Sequence, residues 1–157
     1  MNIRIGTLWR VPVFCLLSSL ACHWLTIFPG ALIYVNRTVG ENGTIEVSTD
    51  PVRSVLFQLA LVFAVLLAGG LWAFRFMTRR EIAASAALLI LPMLAIVLAQ
   101  LFLPAFPLEV SLFLSRFYSW TGNLASLLMQ LSLPLSAATI LAQFAPLLFI
   151  PFGRRTA

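Results

Sequence analysis

The chain has 157 residues, of which 61% are hydrophobic and 10% are charged, and its mean hydropathy is +1.02. Such a composition excludes a soluble globular protein and predicts an integral membrane protein, with room for one helical bundle and no separate soluble domain. The formal net charge of +5 comes from ten arginines set against five acids. The arginines lie at the ends of apolar segments, a placement that indicates membrane topology and not nucleic-acid binding.

The first apolar segment covers residues 11–35 and is long enough to cross a hydrocarbon core of about 30 Å. Its basic start and the sequence SSLAC, which ends at Cys22, are similar to a lipoprotein signal. However, Ser19 stands where the cleavage box requires an aliphatic residue, and the apolar run continues well past Cys22. We therefore expect an uncleaved helix, with lipoprotein processing as the alternative.

Cys15, Cys22 and His23 are the residues of this first helix that suggest a metal site. The two thiols share one helix face, and His23 is rotated from Cys22 by about 100°. The helical rise separates the thiols by about 10 Å, which is too far for one ion, and the sequence contains no other cysteine or histidine. We expect packing thiols and a histidine that hydrogen-bonds a neighbouring helix, with no cofactor; a metal or haem site is the alternative.

The polar residues 36–53 follow and contain Asn42-Gly43, a strong hairpin signal because a type I′ turn needs positive φ at both central residues. We therefore predict a short β-hairpin. A two-residue turn at this position fixes three cross-strand pairs: Val39 with Glu46, Thr38 with Val47, and Arg37 with Ser48. Ile45 and Val47 then share one face, which we expect to pack onto the helix ends or the second loop, because an isolated hairpin is marginally stable.

The charged residues of this hairpin form the candidate partner-binding surface, which consists of Arg37, Glu41, Glu46 and Asp50. The predicted register makes Glu46 and Asp50 diagonal neighbours of Arg37, within reach of its long side chain. Asn36 and Asn42 both match the N-glycosylation pattern. We interpret these asparagines as strand-end and turn residues, with glycosylation as the alternative.

Two further apolar segments, residues 54–74 and 82–103, are joined by a turn at residues 75–81. No aspartate or glutamate lies inside any predicted span, which counts against an ion-coupled transporter and against an intramembrane aspartyl protease. Both segments carry alanines at four-residue spacing, which let helices approach closely within one chain or between chains. These rows are Ala60, Ala64 and Ala68 in the first segment, and Ala83, Ala87, Ala95 and Ala99 in the second, where Leu91 fills the gap between Ala87 and Ala95.

The next loop, residues 104–121, has the pattern of an amphipathic helix. Its apolar side consists of Val110, Phe113, Leu114, Phe117 and Trp120. Aromatic residues are common at the membrane–water interface, so we expect this helix to lie flat on the outer surface. A gating or substrate-guiding helix is the alternative.

The last apolar segment, residues 124–152, is longer than one crossing requires, so we predict a tilted or kinked helix. Pro134 and Pro146 lie within it, and each removes one backbone donor. Gln130 and Gln143, together with His23, form the candidate intramembrane polar site. Neutral polar side chains in spans, Gln100 among them, more often join helices than bind ligands.

Seven arginines flank the termini and residues 75–81, against three in the two other loops. The positive-inside rule therefore places both termini in the cytoplasm and both longer loops outside a cell membrane. The predicted fold is an all-α membrane protein, a single domain over residues 1–157. It has four transmembrane helices, an extracytoplasmic β-hairpin between helices 1 and 2, and an interfacial amphipathic helix between helices 3 and 4.

No phosphate-binding loop, catalytic triad or zinc-protease motif is present, and the outer loops lack the cysteines of membrane thiol oxidoreductases. We therefore expect a non-enzymatic accessory protein that binds a partner through its hairpin and interfacial helix. Its partners would be the bilayer and a membrane protein or a second copy, and not nucleic acid. The alternative is a transporter or channel component for a neutral or lipid-like substrate, built around the proline-kinked fourth helix. A lipid-modifying enzyme comes third, because no catalytic pair is found.

Overall fold

A computed structural model describes residues 5–39, 44–103 and 107–154 of the chain. Within those residues the fold is mostly helical, and four helical segments are long and apolar enough to cross a membrane. The first three are α1 (Arg10–Tyr34), α2 (Pro51–Ala73) and α3 (Arg79–Phe102). The fourth is Leu135–Phe152, which consists of a short helix and a 3₁₀ helix.

A two-stranded antiparallel sheet, β1 (Val35–Val39) and β2 (Ile45–Thr49), connects α1 to α2. The last residue of α1, Tyr34, accepts a 2.8 Å backbone hydrogen bond from Asp50. This bond closes the base of the hairpin, so the predicted hairpin between the first two helices is confirmed.

The register of the hairpin differs from the prediction by one residue. Val39 lies opposite Ile45, and Arg37 lies opposite Val47. This pairing leaves an odd number of residues, 40–44, between the strands, which a two-residue turn cannot close. The Asn42-Gly43 turn itself lies outside the described residues. Because a one-residue slip moves every side chain to the other face, Arg37 lies on the face opposite Glu46, and their predicted pairing is wrong.

Side-chain caps start α2 and α3 three residues before the predicted positions 54 and 82. The Asp50 carboxylate accepts from the backbone N–H groups of Val52 and Arg53 at 3.0 and 3.1 Å. At α3, Thr78 and Glu81 form a capping box, in which each side chain accepts from the other residue's backbone N–H. These bonds satisfy donors that a helix start otherwise leaves unpaired.

The bundle has two ends, which we call the arginine end and the hairpin end. The hairpin end carries the two strands. The arginine end carries the turn between α2 and α3 and includes Arg10, Arg75, Arg79, Arg80 and Arg154. There, Arg154 donates its backbone N–H to Met77 O at 2.9 Å and accepts from Arg79 N at 3.3 Å. The last described residues are therefore joined to this turn.

Three further helical pieces replace the predicted flat loop helix. They are α4 (Leu108–Ser115), a 3₁₀ turn (Arg116–Tyr118) and α5 (Ser119–Gln130). Trp120, expected at the membrane surface, is fully buried, and its ring stacks on Phe149 at 5.7 Å. Trp120 also lines a cavity with Leu89 and Ile90, which lie at the middle of α3. Trp120 therefore lies inside the bundle and not on its outer surface, where it was predicted.

The segment instead enters the bundle from the hairpin end and returns to it. The helical rise gives α4 and its 3₁₀ turn a length of about 18 Å, roughly half of a membrane core. α5 has a similar length, and its last residue, Gln130, shares a groove with Pro51 and Val52 at the start of α2. Together they form a helical hairpin that enters and leaves the bundle at the same end, and we call it re-entrant in that sense. Of the predicted apolar side, Trp120 is buried in the bundle, whereas Val110 and Phe113 are 43% and 56% exposed.

The fourth span is shorter than predicted because residues 124–152 do not form one helix. α5 ends at Gln130, where Ser132 has φ 67° and donates to Met129 O at 2.9 Å. Leu133 N donates to Leu128 O, which completes a Schellman C-cap. Pro134 then precedes α6 (Leu135–Ala142) instead of kinking a longer helix. The 3₁₀ helix that follows, Ala145–Phe152, rises about 2 Å per residue, so this 18-residue segment still extends roughly 30 Å.

An aromatic cluster of Phe14, Phe74, Trp120 and Phe149 joins α1, the end of α2, α5 and the last 3₁₀ helix. The Phe149 ring lies 4.9 Å from that of Phe74 and 5.8 Å from that of Phe14, both edge to face. Gly69 leaves the space for this ring, because a Cβ atom there would overlap Phe149. Gly69 and Gly70 lie in a π-helical turn over Ala68–Ala73 at the end of α2.

Candidate functional site

The charged residues predicted as a partner-binding surface do not form one cluster. Arg37 and Glu46 are exposed on opposite faces of the hairpin. Asp50 caps α2 and forms an ion pair with Arg53 at 3.2 Å, so it has a structural role. The sequence signal for this role was Asp50 followed by Pro51, a common helix start. Glu41 lies outside the described residues.

The apolar face of the hairpin is uncovered, contrary to the prediction that it packs onto the helix ends or the second loop. Val39 is 76% exposed, Ile45 is 69% exposed and Val47 is 64% exposed. All three lie on the face that also carries Arg37. Within the described residues each strand pairs only with the other, so each has one open edge. An apolar face and two open edges together are typical of a surface that another chain covers.

The three residues predicted as an intramembrane polar site lie in different places. Gln130 is exposed at the hairpin end. Gln143 is buried in the bundle, and its Nε2 donates to Thr139 O at 3.3 Å. His23 is half-buried, and its ring contacts Trp24 edge to face at 6.3 Å. The structure therefore does not join them in a single site.

Gln143 instead belongs to a small central cavity that includes residues not identified from sequence. Its polar lining includes Ser19, Tyr118, Trp120 and Thr121. The Nε1–H of Trp120 is buried and has no hydrogen-bond partner among the described residues. The cavity volume is about 10 Å³, close to the minimum for one water molecule. Its polar groups are neutral hydroxyl, amide and indole groups, beside the thiol of Cys15.

The re-entrant segment is held against α3 by polar contacts. Gln100 Nε2 donates to Ser111 Oγ at 3.2 Å and approaches Tyr118 Oη at the same distance. Gln100 therefore joins helices, as its sequence context predicted. These bonds fix the depth at which Tyr118, Trp120 and Thr121 enter the bundle.

The two cysteines are buried and unpaired. Across the described ranges, no three or more His, Cys, Asp or Glu side chains lie close enough together to hold a metal ion. Glu81, the acid at the start of α3, serves in the capping box with Thr78.

No protein-family model, curated protein or solved structure matches this chain. Function is therefore inferred from the geometry of the molecule.

Proposed function

We propose that the protein is a non-enzymatic accessory protein of the cell membrane that binds another membrane protein through its β-hairpin. The observation that carries the proposal is the uncovered apolar face of Val39, Ile45 and Val47. A two-stranded hairpin is marginal in water, so contact with a partner would stabilise it. Its open edges would also let a partner strand add to the sheet by main-chain hydrogen bonds.

The proposal includes an orientation with the hairpin outside the cell and both termini in the cytoplasm. The concentration of arginines at the opposite end of the bundle supports it, because basic residues accumulate on the cytoplasmic side of membrane proteins. The partner would then be met on the extracytoplasmic side.

Site-specific photocrosslinking in native membranes tests the hairpin. A photoreactive residue at Val47 should form a defined adduct, whereas the same residue at Glu46, on the other face, should form little or none. Replacing Val39, Ile45 and Val47 by threonine keeps β-propensity but removes apolar area, and should abolish capture while leaving membrane insertion intact. The matched control, Thr38→Ser with Ser48→Thr, should capture normally. Equal capture by both sets of variants would refute the proposal.

The partner could also be a second copy of this chain. Ala60, Ala64 and Ala68 of α2 are exposed on the bundle surface, where they would allow close helix approach between two copies. The mass of the crosslinked adduct separates the two cases, since a homodimer has twice the 17.3 kDa mass of the chain.

A transporter or channel component for a neutral substrate is the second candidate. The re-entrant hairpin favours it, since broken helices at membrane depth are common where a protein lines a substrate path. A substrate path in this protein would pass through the central cavity around Trp120 and Gln143. Thiol labelling of Gln143→Cys tests it: modification by a water-soluble reagent is expected, and complete protection would rule out an aqueous path at Gln143.

A further inference from the structure

A groove at the arginine end lies between the start of α1 and the end of α2. We call it the Arg10 groove and define it by Trp9, Arg10, Val13, Leu17, Trp72 and Phe76. Its volume is about 490 Å³, within the range of about 300–1,000 Å³ that small-molecule sites occupy. It is at the opposite end of the bundle from the β-hairpin, so an occupant here is independent of the proposed partner.

The Arg10 groove is polar at its mouth and apolar along its length. Arg10 lies at the mouth, and Val13 and Leu17 follow on the same side of α1, about 5 and 10 Å further into the bundle by the helical rise. Trp9 and Trp72 form the walls and are 68% and 78% exposed. A molecule that matches this groove has a charged head group and an apolar chain.

Further positive charge lies beside the mouth. The Arg75 guanidinium carbon is 4.3 Å from the centre of the Phe76 ring, and that of Arg154 is 5.3 Å from it. Among the residues that the structure describes, no carboxylate forms an ion pair with Arg10 or Arg75. The mouth therefore has positive charge available for an anion.

We propose that the Arg10 groove binds one anionic phospholipid. Arg10 and Arg75 bind the phosphate, because a guanidinium forms paired, charge-assisted hydrogen bonds with phosphate oxygens. One acyl chain lies along Val13 and Leu17, between Trp9 and Trp72. Tryptophan is enriched at the level of the lipid head groups, and basic pockets between transmembrane helices bind anionic head groups. An uncharged protein surface would leave these two arginines unpaired, so it is a poorer match.

Tryptophan quenching by acyl-brominated phospholipids tests the proposal in reconstituted vesicles. Two vesicle preparations contain the same mole fraction of phosphatidylglycerol in phosphatidylcholine, and differ only in which lipid is brominated. The chain has four tryptophans. Trp24→Phe removes the exposed one outside the groove, and Trp120 is fully buried, so Trp9 and Trp72 report on the groove. We expect stronger quenching by brominated phosphatidylglycerol than its mole fraction predicts.

Arg10→Gln and Arg75→Gln should each lower the preference for phosphatidylglycerol over phosphatidylcholine by about fivefold. This is the typical attraction of one arginine to an anionic lipid surface. Arg53→Gln and Arg116→Gln remove arginines away from the groove and should leave the preference unchanged. Arg10→Lys keeps the positive charge and should retain most of the preference for phosphatidylglycerol. Quenching that follows mole fraction alone in the wild-type protein would overturn the proposal, as would an unchanged preference in Arg10→Gln with Arg75→Gln. Quenching by both lipids that falls as protein density rises would show instead that another copy covers the groove.

Discussion

Phe149 has no exposed surface, and its ring is enclosed by Phe14, Phe74 and Trp120. Each neighbour comes from a different part of the chain, so this one side chain links α1, α2 and α5 to the last 3₁₀ helix. The contact depends on Gly69, which has no side chain to occupy the same space. A ring packed on every side cannot turn aside to admit an extra methyl group.

Gly69→Ala should therefore destabilise the bundle by about 1–3 kcal/mol, the usual cost of overpacking a filled interior. Thermal unfolding in detergent, followed by circular dichroism, measures the effect as a lower midpoint. Gly122→Ala is the matched control, because a Cβ at Gly122 meets no atom within 4 Å. That variant should be as stable as the wild type or slightly more stable, since alanine favours a helix. Equal midpoints for the two variants would contradict this account of the cluster.

At the scale of elements, the hairpin shows how one uncertain turn changes a surface. The strands were predictable from their β-branched residues, but the register depends on the length of the connecting loop. With Val39 opposite Ile45, the positively charged Arg37 lies on the apolar face, and Glu46 lies on the other face. The surface that a partner can contact is therefore apolar and basic. With a two-residue turn, Arg37 and Glu46 would instead have shared one face as a charge pair.

Engineered disulfides distinguish the two registers. In a background with Cys15 and Cys22 replaced by alanine, Arg37→Cys with Val47→Cys should oxidise readily, because directly opposed residues have suitably spaced Cβ atoms. Arg37→Cys with Ser48→Cys should not, because those side chains point to opposite faces. The fraction of crosslinked protein is read from gel mobility before and after proteolysis of the loop. Preferential crosslinking of the second pair would show that the strands have the register of a two-residue turn.

Some helix ends can be predicted from the sequence, and others cannot. The caps at Asp50 and at Thr78 with Glu81 are local patterns, and applying them would have given the observed helix starts. The break after Gln130 is harder to predict, because leucines surround Ser132 and continue the apolar run. A serine with positive φ is uncommon, so neither composition nor periodicity indicates it.

At the scale of the whole molecule, the first three spans follow from hydrophobic runs, and the re-entrant hairpin does not. An amphipathic helix has the same sequence pattern whether its apolar side faces lipid or protein. Trp120 suits both environments, and only long-range packing against Phe149 decides between them. The central cavity arises from this packing, so it was not predictable from sequence, although Gln143 was identified as a polar residue of the span.

Thiol labelling from one side of the membrane tests the re-entrant path. In the same cysteine-free background, Glu109→Cys, Ser132→Cys and Ser48→Cys should react with an impermeant maleimide from the same side, because all three lie toward the hairpin end and are exposed. Ser119→Cys, at the inner turn, should be protected, and unfolding in detergent with denaturant should expose it. Labelling of Ser119→Cys as fast as Glu109→Cys would show that this segment lies on the membrane surface.

The backbone bonds between Arg154 and the turn at Met77 and Arg79 also constrain the order of assembly. Gly153 accepts from the Arg79 side chain across 74 residues of sequence, and Ser85 bonds to Leu8 across 77. As the ribosome delivers the chain, α1 and α3 can meet long before the last span exists. The arginine end stays open until that span has been made and inserted. During this interval Phe14, Phe74 and Trp120 lack the Phe149 ring that packs among them in the finished protein.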